Sequence, residues 1–445
     1  MNFESVRQIL AEQAKKAGLC DYEIYFTESS QLSTETLKDE ISSFSGGSGA
    51  GVSFRCIVDG HVGVAATELF TKEELESLVT RAMDNAAVIE NDDLAVIYGG
   101  SESYGKTDMP EFTMPESSEL KALALSLQAS TYSESELVTD GTQSGVFAEV
   151  NHFELANSKG LRLSNTVSLG GAFVQAVVNR EGEAEEAFDF SLGYGEADKL
   201  PKKAVEKAQA KLGATEIPSG KYKIIIDGRQ MRSLLSAFSS VFSGKNALLG
   251  LSLLKGKEGE KIAADCVTLI DDPMMKGSFV QTPFDGEGVA AYRKSVIENG
   301  TLNTLLYDLA TAAKAGVATT GNGQRGSYAQ QVSISPFTFY IEGGALSDKQ
   351  LLEKMGGGIL VTELKGLHAG ANAVTGDFSI ESAGFLVKDG RISGAIKGFT
   401  VAGNFFDLLK NIQAVSDNVK FGLPSGFTVF GSPDVLLPEM SVAGK

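Results

Sequence analysis

Apolar residues recur at helical spacing in several separate segments of this chain, and apolar–polar alternation marks the segments between them. Apolar side chains three and four residues apart predict amphipathic helices. These helices are predicted near residues 6–14, 72–87, 116–130, 200–212, 229–242 and 304–315. The helix at 229–242 carries a dense stripe that includes Met231, Leu235 and Phe238, so we expect it to pack into a core.

Glycine-containing turns separate the predicted strands. Asp59-Gly60 and Asp389-Gly390 each stand between two extended runs. Such a pair is a strong hairpin signal because glycine tolerates the positive φ of a tight turn. Residues 139–195 consist of successive strand-like runs and polar turns, and strands with glycine-rich turns predominate from Lys221 onward. A short helix is expected after the second hairpin, at residues 405–412.

Two polar, proline-containing connections divide the chain. They lie at residues 91–115 and at Pro218-Ser219-Gly220. A chain of 445 residues is too long for one ordinary core. We predict an α+β domain at 1–95, a middle domain with antiparallel strands at 110–216 and a β-rich domain at 218–445. The predicted fold class is therefore α+β, with a mixed α/β N-terminal part followed by a largely β C-terminal domain.

Charge and composition exclude some classes of function. The chain has 39 lysines and arginines against 57 aspartates and glutamates, a net charge of −18. Direct DNA binding is disfavoured, because cations must neutralise the phosphates. The cysteines Cys20, Cys56 and Cys266 lie far apart, which fits a reducing cytoplasm. We find no signal peptide and no run approaching the roughly 18 apolar residues of a membrane span. We therefore expect a cytoplasmic protein with neither nucleic acid nor membrane as a partner.

Few residues are suited to catalysis. The sequence contains no Walker loop, nucleophile elbow or Cys-x-x-Cys pair. Its three histidines are His61, His152 and His368, and none precedes a glutamate. His368 lies ahead of Asp377, but a catalytic zinc site needs about three protein ligands. Three roles stay open for His368: metal ligand, substrate or partner contact, and hydrogen-bonding group of a loop.

Three short motifs form an ordered pattern near the C-terminal end. They are Gly-Leu-His-Ala-Gly at residues 366–370, Gly-Asp-Phe-Ser at 376–379 and Ala-Gly-Asn-Phe-Phe at 402–406. Together they resemble the C-terminal signature of the TldD/PmbA family, the modulators of DNA gyrase, and more closely its PmbA (TldE) branch. Asp-Gly-Glu-Gly at 285–288 resembles a turn of the same family. Gly-Asn-Gly-Gln-Arg-Gly-Ser at 321–327 resembles the loop that shapes the family's peptide-binding cleft, although these glycines could serve only as turns.

The resemblance also implies which residues form a site. In the TldD branch one helix carries His-Glu-x-x-x-His, in which the imidazoles hold zinc and the carboxylate handles the proton of the attacking water. Those positions fall close to Ser236, Ala237 and Val241 of this chain. The resemblance therefore implies no catalytic residue, no metal ligand and no cofactor here. The remaining candidates, as contacts of a peptide or of the cleft, are His368, Asp377, Asn404, Arg325 and Ser327.

The resemblance implies a TldE/PmbA-like subunit of a two-component intracellular metallopeptidase that acts on unfolded peptides. A TldD-like paralogous subunit would form the heterodimer and supply the zinc. Two alternatives stay open. The chain could be a metal-dependent hydrolase in its own right with a non-standard site that uses His368, Asp377 and Glu381, or a non-enzymatic, peptide-binding regulatory homodimer.

Overall fold

The structure, a computed structural model, describes residues 2–90 and 94–445. Met1 and residues 91–93, which belong to the first predicted domain and to its predicted connection, lie outside the described residues. The helices are α1 Phe3–Lys16, α2 Lys72–Ala87, α3 Ser117–Glu134, α4 Leu200–Lys211, α5 Gly228–Phe238, α6 Gly244–Leu248, α7 Leu309–Ala315, α8 Asp348–Met355, α9 Leu367–Gly370 and α10 Phe405–Asn411. Short 3₁₀ turns span Ala197–Lys199 and Ser239–Phe242.

The strands fall into an N-terminal set and a C-terminal set. The N-terminal strands are β1 Tyr22–Leu37, β2 Glu40–Val58, β3 His61–Thr67, β4 Gln143–Asn157, β5 Arg162–Arg180 and β6 Glu183–Leu192. The C-terminal strands are β7 Gly220–Ile226, β8 Leu269–Asp271, β9 Lys294–Glu298, β10 Thr301–Leu302, β11 Gly323–Gln324, β12 Ser333–Ile334, β13 Thr338–Ile341, β14 Gly358–Lys365, β15 Asp377–Lys388, β16 Arg391–Asn404, β17 Ala414–Val415, β18 Lys420–Phe421, β19 Val429–Ser432 and β20 Val435–Ala443.

Capping side chains decide where several helices begin. Thr71 accepts a hydrogen bond from the Glu74 amide, and α2 has the bounds that the apolar stripe predicts. The helix predicted at 304–315 starts only at Leu309, because the carboxylate of Asp308 accepts from the Thr311 amide at 2.7 Å and caps α7 there. The helix predicted at 229–242 is α5 followed by the 3₁₀ turn Ser239–Phe242.

One antiparallel sheet runs through the N-terminal half, in the order β3-β2-β1-β4-β5-β6. Its central pairing joins β1 to β4, from Glu23 opposite Asn157 to Leu37 opposite Gln143. Helices α1 and α2 pack on the part of the sheet formed by β1 to β3, and α3 and α4 pack on the part formed by β1 and β4 to β6. Both predicted N-terminal domains therefore contribute strands to one sheet, and their dividing point stays a prediction.

The first part of strand β1, residues 23–26, is buried on both faces. Ile24 and Phe26 point to the cluster under α1 and α2, whereas Tyr25 faces the C-terminal half and shares a cluster with Phe284. Side chains alternate between the two faces of a strand, so Glu23 points the same way as Tyr25. Glu23 is 1% exposed. The carboxylate of Glu23 therefore lies in the contact between the two halves of the molecule.

The C-terminal half is built from two six-stranded sheets around one large apolar core, with a separate two-stranded sheet of β11 and β12. Strands β16-β15-β14-β7-β20 form a ring, which closes where β16 pairs with β20. A second sheet has the order β10-β9-β8-β13-β19-β18. Helix α5 buries its stripe in this core, and its Phe238 stacks on Phe405 with ring centres 4.6 Å apart. The predicted α+β class with a largely β C-terminal part is confirmed.

Within residues 2–90 and 94–445, no helix combines the length and the apolar character needed to cross a bilayer.

Candidate functional site

The motif residues Asp377 and Asn404 meet at the open end of the β15–β16 hairpin. They stand opposite each other in the strand register, and the Asn404 amide donates to Asp377 at 2.9 Å. The same amide donates to the carbonyl of Thr375 at 2.9 Å, while its oxygen accepts from the Phe406 amide and caps α10. Hydrogen bonds from Asn404 and Thr375 lower the pKa of Asp377. Both residues therefore have a structural task in this corner.

The corner needs a glycine at position 376, because the backbone conformation and the packing there both disfavour a side chain. Its φ is +83°, and a Cβ there would come within 2.6 Å of the Phe406 ring. Its carbonyl accepts from the Phe405 amide at 2.7 Å, which joins the start of β15 to the start of α10. This hydrogen bond joins the Gly-Asp-Phe-Ser motif to the Ala-Gly-Asn-Phe-Phe motif.

His368 lies in the short helix α9, next to the hairpin and to α5, and its side chain is exposed. On α5, Ser236 is exposed and Ala237 is half-buried, while Val241 in the following 3₁₀ turn is buried in the core. In the described parts of the chain, no three His, Cys, Asp or Glu side chains are grouped so that they could hold a metal ion.

Arg325 and Ser327 lie elsewhere, on the segment that covers the N-terminal sheet. The Arg325 side chain is only 3% exposed and forms an ion pair with Glu23. Its guanidinium lies 4.7 Å from the centre of the Tyr25 ring, and Arg55 approaches the same Glu23 at 3.9 Å. Ser327 is half-buried, and its carbonyl accepts from the Gln330 amide. The predicted site residues thus form two groups, one beside α5 and one in the contact between the halves.

Two buried carboxyl groups adjoin Arg325, and the sequence showed them only as a turn. Asp285 and Glu287 are 2% and 3% exposed. Burial raises the pKa of Asp285 to about 7. Burial and the neighbouring Asp285 raise the pKa of Glu287 to about 8. In the sequence, Asp285 and Glu287 are visible only as two acidic residues in a turn. The fold brings them next to the buried Arg325.

The two carboxyl groups differ in the number of hydrogen bonds that they accept. Asp285 accepts from the amides of Glu287 and Val289 through one oxygen and from the Gly323 amide through the other, at 2.9 to 3.0 Å. Three donors favour the ionised carboxylate. Glu287 accepts one amide bond, from Leu309 at 2.8 Å. The charged form of Glu287 therefore has less support from hydrogen bonds than that of Asp285, which agrees with the raised pKa of Glu287.

A cavity of about 770 Å³ opens beside these charges. Glu287, Arg55 and Arg325 line one part of it, and the rest of the wall includes residues of β3, α6, α7, the C-terminal end of α2 with Val88 and Ile89 after it, and the segment 330–332. Its volume lies within the roughly 300 to 1,000 Å³ of concave sites that bind small molecules. Sequence patterns carried no signal for it, since its wall comes from distant segments.

Comparison with known proteins places the whole chain among related sequences. Three family models match: PmbA/TldA metallopeptidase domain 1 at residues 22–86, the central domain at 110–212 and the C-terminal domain at 219–444. The "Metalloprotease PmbA" of Escherichia coli O157:H7 is 28% identical over 276 residues, covering 60% of this chain and 57% of that protein.

Two crystal structures share the fold over nearly the full length. One, from Thermotoga maritima MSB8, is named as a candidate modulator of a DNA gyrase and is 29% identical, with a TM-score of 0.90 over 99% of this chain and 100% of that chain. The other, TldE from Thermococcus kodakarensis, is 22% identical and superimposes with a TM-score of 0.89 over 98% of this chain and 99% of that chain. At that identity the second structure supports the fold alone.

Proposed function

Because this chain belongs to the PmbA/TldD metallopeptidase family, we propose that it is the TldE/PmbA-like subunit of a two-component peptidase that acts on unfolded peptides in the cytoplasm. A TldD-like paralogous subunit supplies the zinc and the catalytic groups. This chain contributes surfaces for the partner and for the peptide.

The observation that carries the proposal is the chemistry of α5 and the turn after it. Zinc is bound by imidazole, thiolate or carboxylate groups. The positions near Ser236, Ala237 and Val241 offer a hydroxyl, a methyl group and a buried isopropyl group instead. None of the three histidines in the sequence precedes a glutamate. These positions on α5 and in the turn after it therefore do not fit a catalytic zinc ion, and we assign no catalytic step to them.

The exposed face beside α5 is the proposed contact with the partner and its peptide. His368 is exposed on α9, and Asp377 and Glu381 point outward from the same face of β15. Ser236 is exposed on α5, and α5 contacts α9. A polar, exposed surface of this kind suits a subunit that completes a cleft formed mainly by another chain.

The test compares the chain alone with a mixture of the chain and the TldD-like protein of its source organism. Purified alone, the chain should carry no stoichiometric zinc and leave an unstructured fluorogenic peptide intact. Mixing should produce a stable complex on size-exclusion chromatography and a chelator-sensitive cleavage. His368→Ala should weaken complex formation or cleavage in the mixture, while Lys349→Ala on the distant helix α8 serves as the control.

The two alternatives predict different results. A hydrolase acting alone would show stoichiometric metal and cleavage without the partner, both lost in His368→Ala, and this outcome would overturn the proposal. A regulatory homodimer would bind peptide as a dimer and stay inactive when the TldD-like protein is added. The hydrogen bonds that already occupy Asp377 speak against its use as a catalytic base.

A further inference from the structure

We propose that the outer edge of strand β2 along residues 40–51, called here the free edge, binds an extended peptide by strand addition. The inference rests on the proposed function, since it names a place where this chain would hold the unfolded peptide. It goes further by putting that place on the N-terminal sheet rather than on the face beside α5.

Strand β2 has a strand beside it along nearly its whole length on one side, but along only part of its length on the other. β1 pairs with β2 from Glu40 to Cys56, whereas β3 pairs only with Val52 to Val58. Within residues 2–90 and 94–445, no other strand or isolated bridge pairs with residues 40–51. Every second residue of an antiparallel strand directs its N–H and C=O away from a given neighbour. About six residues of the free edge therefore direct donors and acceptors outward.

The backbone of the free edge is accessible to solvent. All residues from Ser42 to Gly49 are exposed. Gly46, Gly47 and Gly49 are among them, and the exposure of a glycine is that of its backbone, because it has no side chain. A Cβ at Gly47 would meet nothing within 4 Å outside the adjoining residues. An added strand would therefore reach the outward N–H and C=O groups and have room for its own side chains.

The free edge also lacks the features by which sheets usually prevent pairing with other chains. Lysine, proline and local bulges are the common ones. Residues 40–51 contain no lysine, arginine or proline, and Glu40 is their one charged residue. A bulge at Ser42 lies near the turn and leaves residues 43–51 in regular register with β1. An exposed, regular and unprotected edge is suited to pairing with a further strand.

Tyr328 marks one end of the free edge. Its ring packs on Gly51, where a Cβ would come within 2.2 Å of it, and its hydroxyl donates to Glu68. β3 then takes the place beside β2 from Val52 onward. A bound peptide would thus pair with up to about twelve residues, a length of about 40 Å, and end beside this ring.

An extended peptide fits this edge better than a second copy of the chain does. A stable interface between copies buries about 800 Å² on each partner and contains large buried anchors. The free edge offers mainly backbone and small side chains, and the ring of its exposed Phe44 already faces the Lys121 ammonium at 4.1 Å. Backbone hydrogen bonds depend little on the side chains of the ligand, so the edge suits peptides of many sequences.

Fluorescence anisotropy with the chain alone tests the binding. The probe is a neutral, fluorescein-labelled decapeptide of threonine, valine and glutamine, which favours an extended conformation. Its matched analogue is N-methylated at every residue, so it keeps the side chains but donates no backbone hydrogen bonds. The parent peptide should bind at least about tenfold more tightly than the analogue. Absence of binding, or equal binding of the two peptides, would overturn the proposal.

Two neighbouring proline variants test the location. Consecutive residues of β2 direct their N–H groups alternately toward β1 and toward the free edge, so Ser48→Pro and Gly49→Pro remove one N–H of each kind. The variant that keeps the wild-type unfolding midpoint is the edge variant, because proline is tolerated on the open side of an edge strand. It should bind the probe about three- to tenfold more weakly. Lys349→Ala on α8 should change the affinity less than about twofold. Unchanged affinity in the edge variant would refute the location.

Photocross-linking of a benzophenone-bearing form of the probe gives a second reading that requires no variant. Mass spectrometry of the wild-type chain should map the cross-links to residues 40–51 and to Tyr328. Cross-links confined to other segments would overturn the proposal, even if neither proline variant folds.

Failure of this inference and failure of the proposed function give different results. Chelator-sensitive cleavage by the mixture, without binding of the probe to this chain alone, would remove the edge site and leave the function. Binding at the edge without cleavage by the mixture would support the site and remove the function. A dimer of this chain that becomes monomeric in the edge variant would show that a second copy occupies the edge, which would overturn the inference.

Discussion

Arg325→Met tests the buried charges that join the two halves of the molecule. Methionine keeps much of the length of the arginine side chain and removes the guanidinium. Glu23 would remain 1% exposed, with Arg55 at 3.9 Å as its nearest remaining cation. One oxygen of Glu23 already lacks a hydrogen-bond partner. The carboxylate would then be buried with little compensation.

The expected loss is large. Removing one partner of a buried ion pair costs about 3–5 kcal/mol, because the other charge stays desolvated. The lost contact between the guanidinium and the Tyr25 ring, at 4.7 Å, adds about 0.5–1 kcal/mol. Domains of this kind have free energies of unfolding of about 5–15 kcal/mol, so Arg325→Met should remove a substantial part.

Urea unfolding followed by circular dichroism and tyrosine fluorescence measures the effect, since the chain has 11 tyrosines and no tryptophan. The double variant Glu23→Leu/Arg325→Met replaces both charges by apolar groups and should recover most of the stability, because no charge is left unpaired. Lys349→Met, which breaks an exposed pair with Glu353, should change the free energy of unfolding by less than about 0.5 kcal/mol. A loss below about 1 kcal/mol for Arg325→Met, or a double variant no more stable than this single one, would refute the reasoning.

Three further substitutions follow from the contacts. Asn404→Ala removes the cap of α10 and the bonds to Asp377 and Thr375, so the urea midpoint should fall by an amount equivalent to about 1–2 kcal/mol. Phe238→Ala opens a cavity in the core where the ring stacks on Phe405, and should cost about 3–5 kcal/mol in the same assay. Glu287 has its pKa raised from 4.5 to about 8 by burial, so the folded state binds this proton more tightly than the unfolded chain. The free energy of unfolding contributed by this group therefore falls as the pH rises through that interval, and Glu287→Gln should make the measured decline shallower.

Each of the three has a result that contradicts it. Asn404→Ser retains a capping oxygen without placing a second carboxylate beside Asp377, and should lose less stability than Asn404→Ala, so an equal loss in the two variants would count against the capping role. Phe238→Leu should lose clearly less than Phe238→Ala, since it fills part of the space. An unchanged pH profile in Glu287→Gln would show that Glu287 is not the group that takes up the proton.

Local features of the fold could be predicted from the sequence because their causes are local. The bounds of α2 follow from a complete apolar stripe after Thr71, and the β15–β16 turn follows from Asp389 and Gly390, both with positive φ. The formation of a tight turn of this type depends only on residues that are neighbours in the sequence. The same applies to the meeting of Asp377 and Asn404, which the strand register dictates once the hairpin is known.

The contact between the halves could not be predicted in this way. Glu23 and Arg325 are 302 positions apart, and nothing in the residues around either one indicates the other. The cavity likewise has a wall drawn from β3, α6, α7 and the segment 330–332, so no single segment shows a ligand site. Such features depend on how whole sheets pack, which is a property of the assembled chain.

The ring of five strands in the C-terminal half has a consequence for biosynthesis. Strand β7 lies between β14 and β20, yet β20 at Val435–Ala443 leaves the ribosome long after β7 at Gly220–Ile226. Until then β7 presents an unpaired edge, and the apolar side chains of the ring interior stay accessible to water and to other nascent chains. A translational pause or a premature stop before Val435 should therefore yield an open intermediate that depends on chaperones, even though the N-terminal sheet is already complete by Leu192.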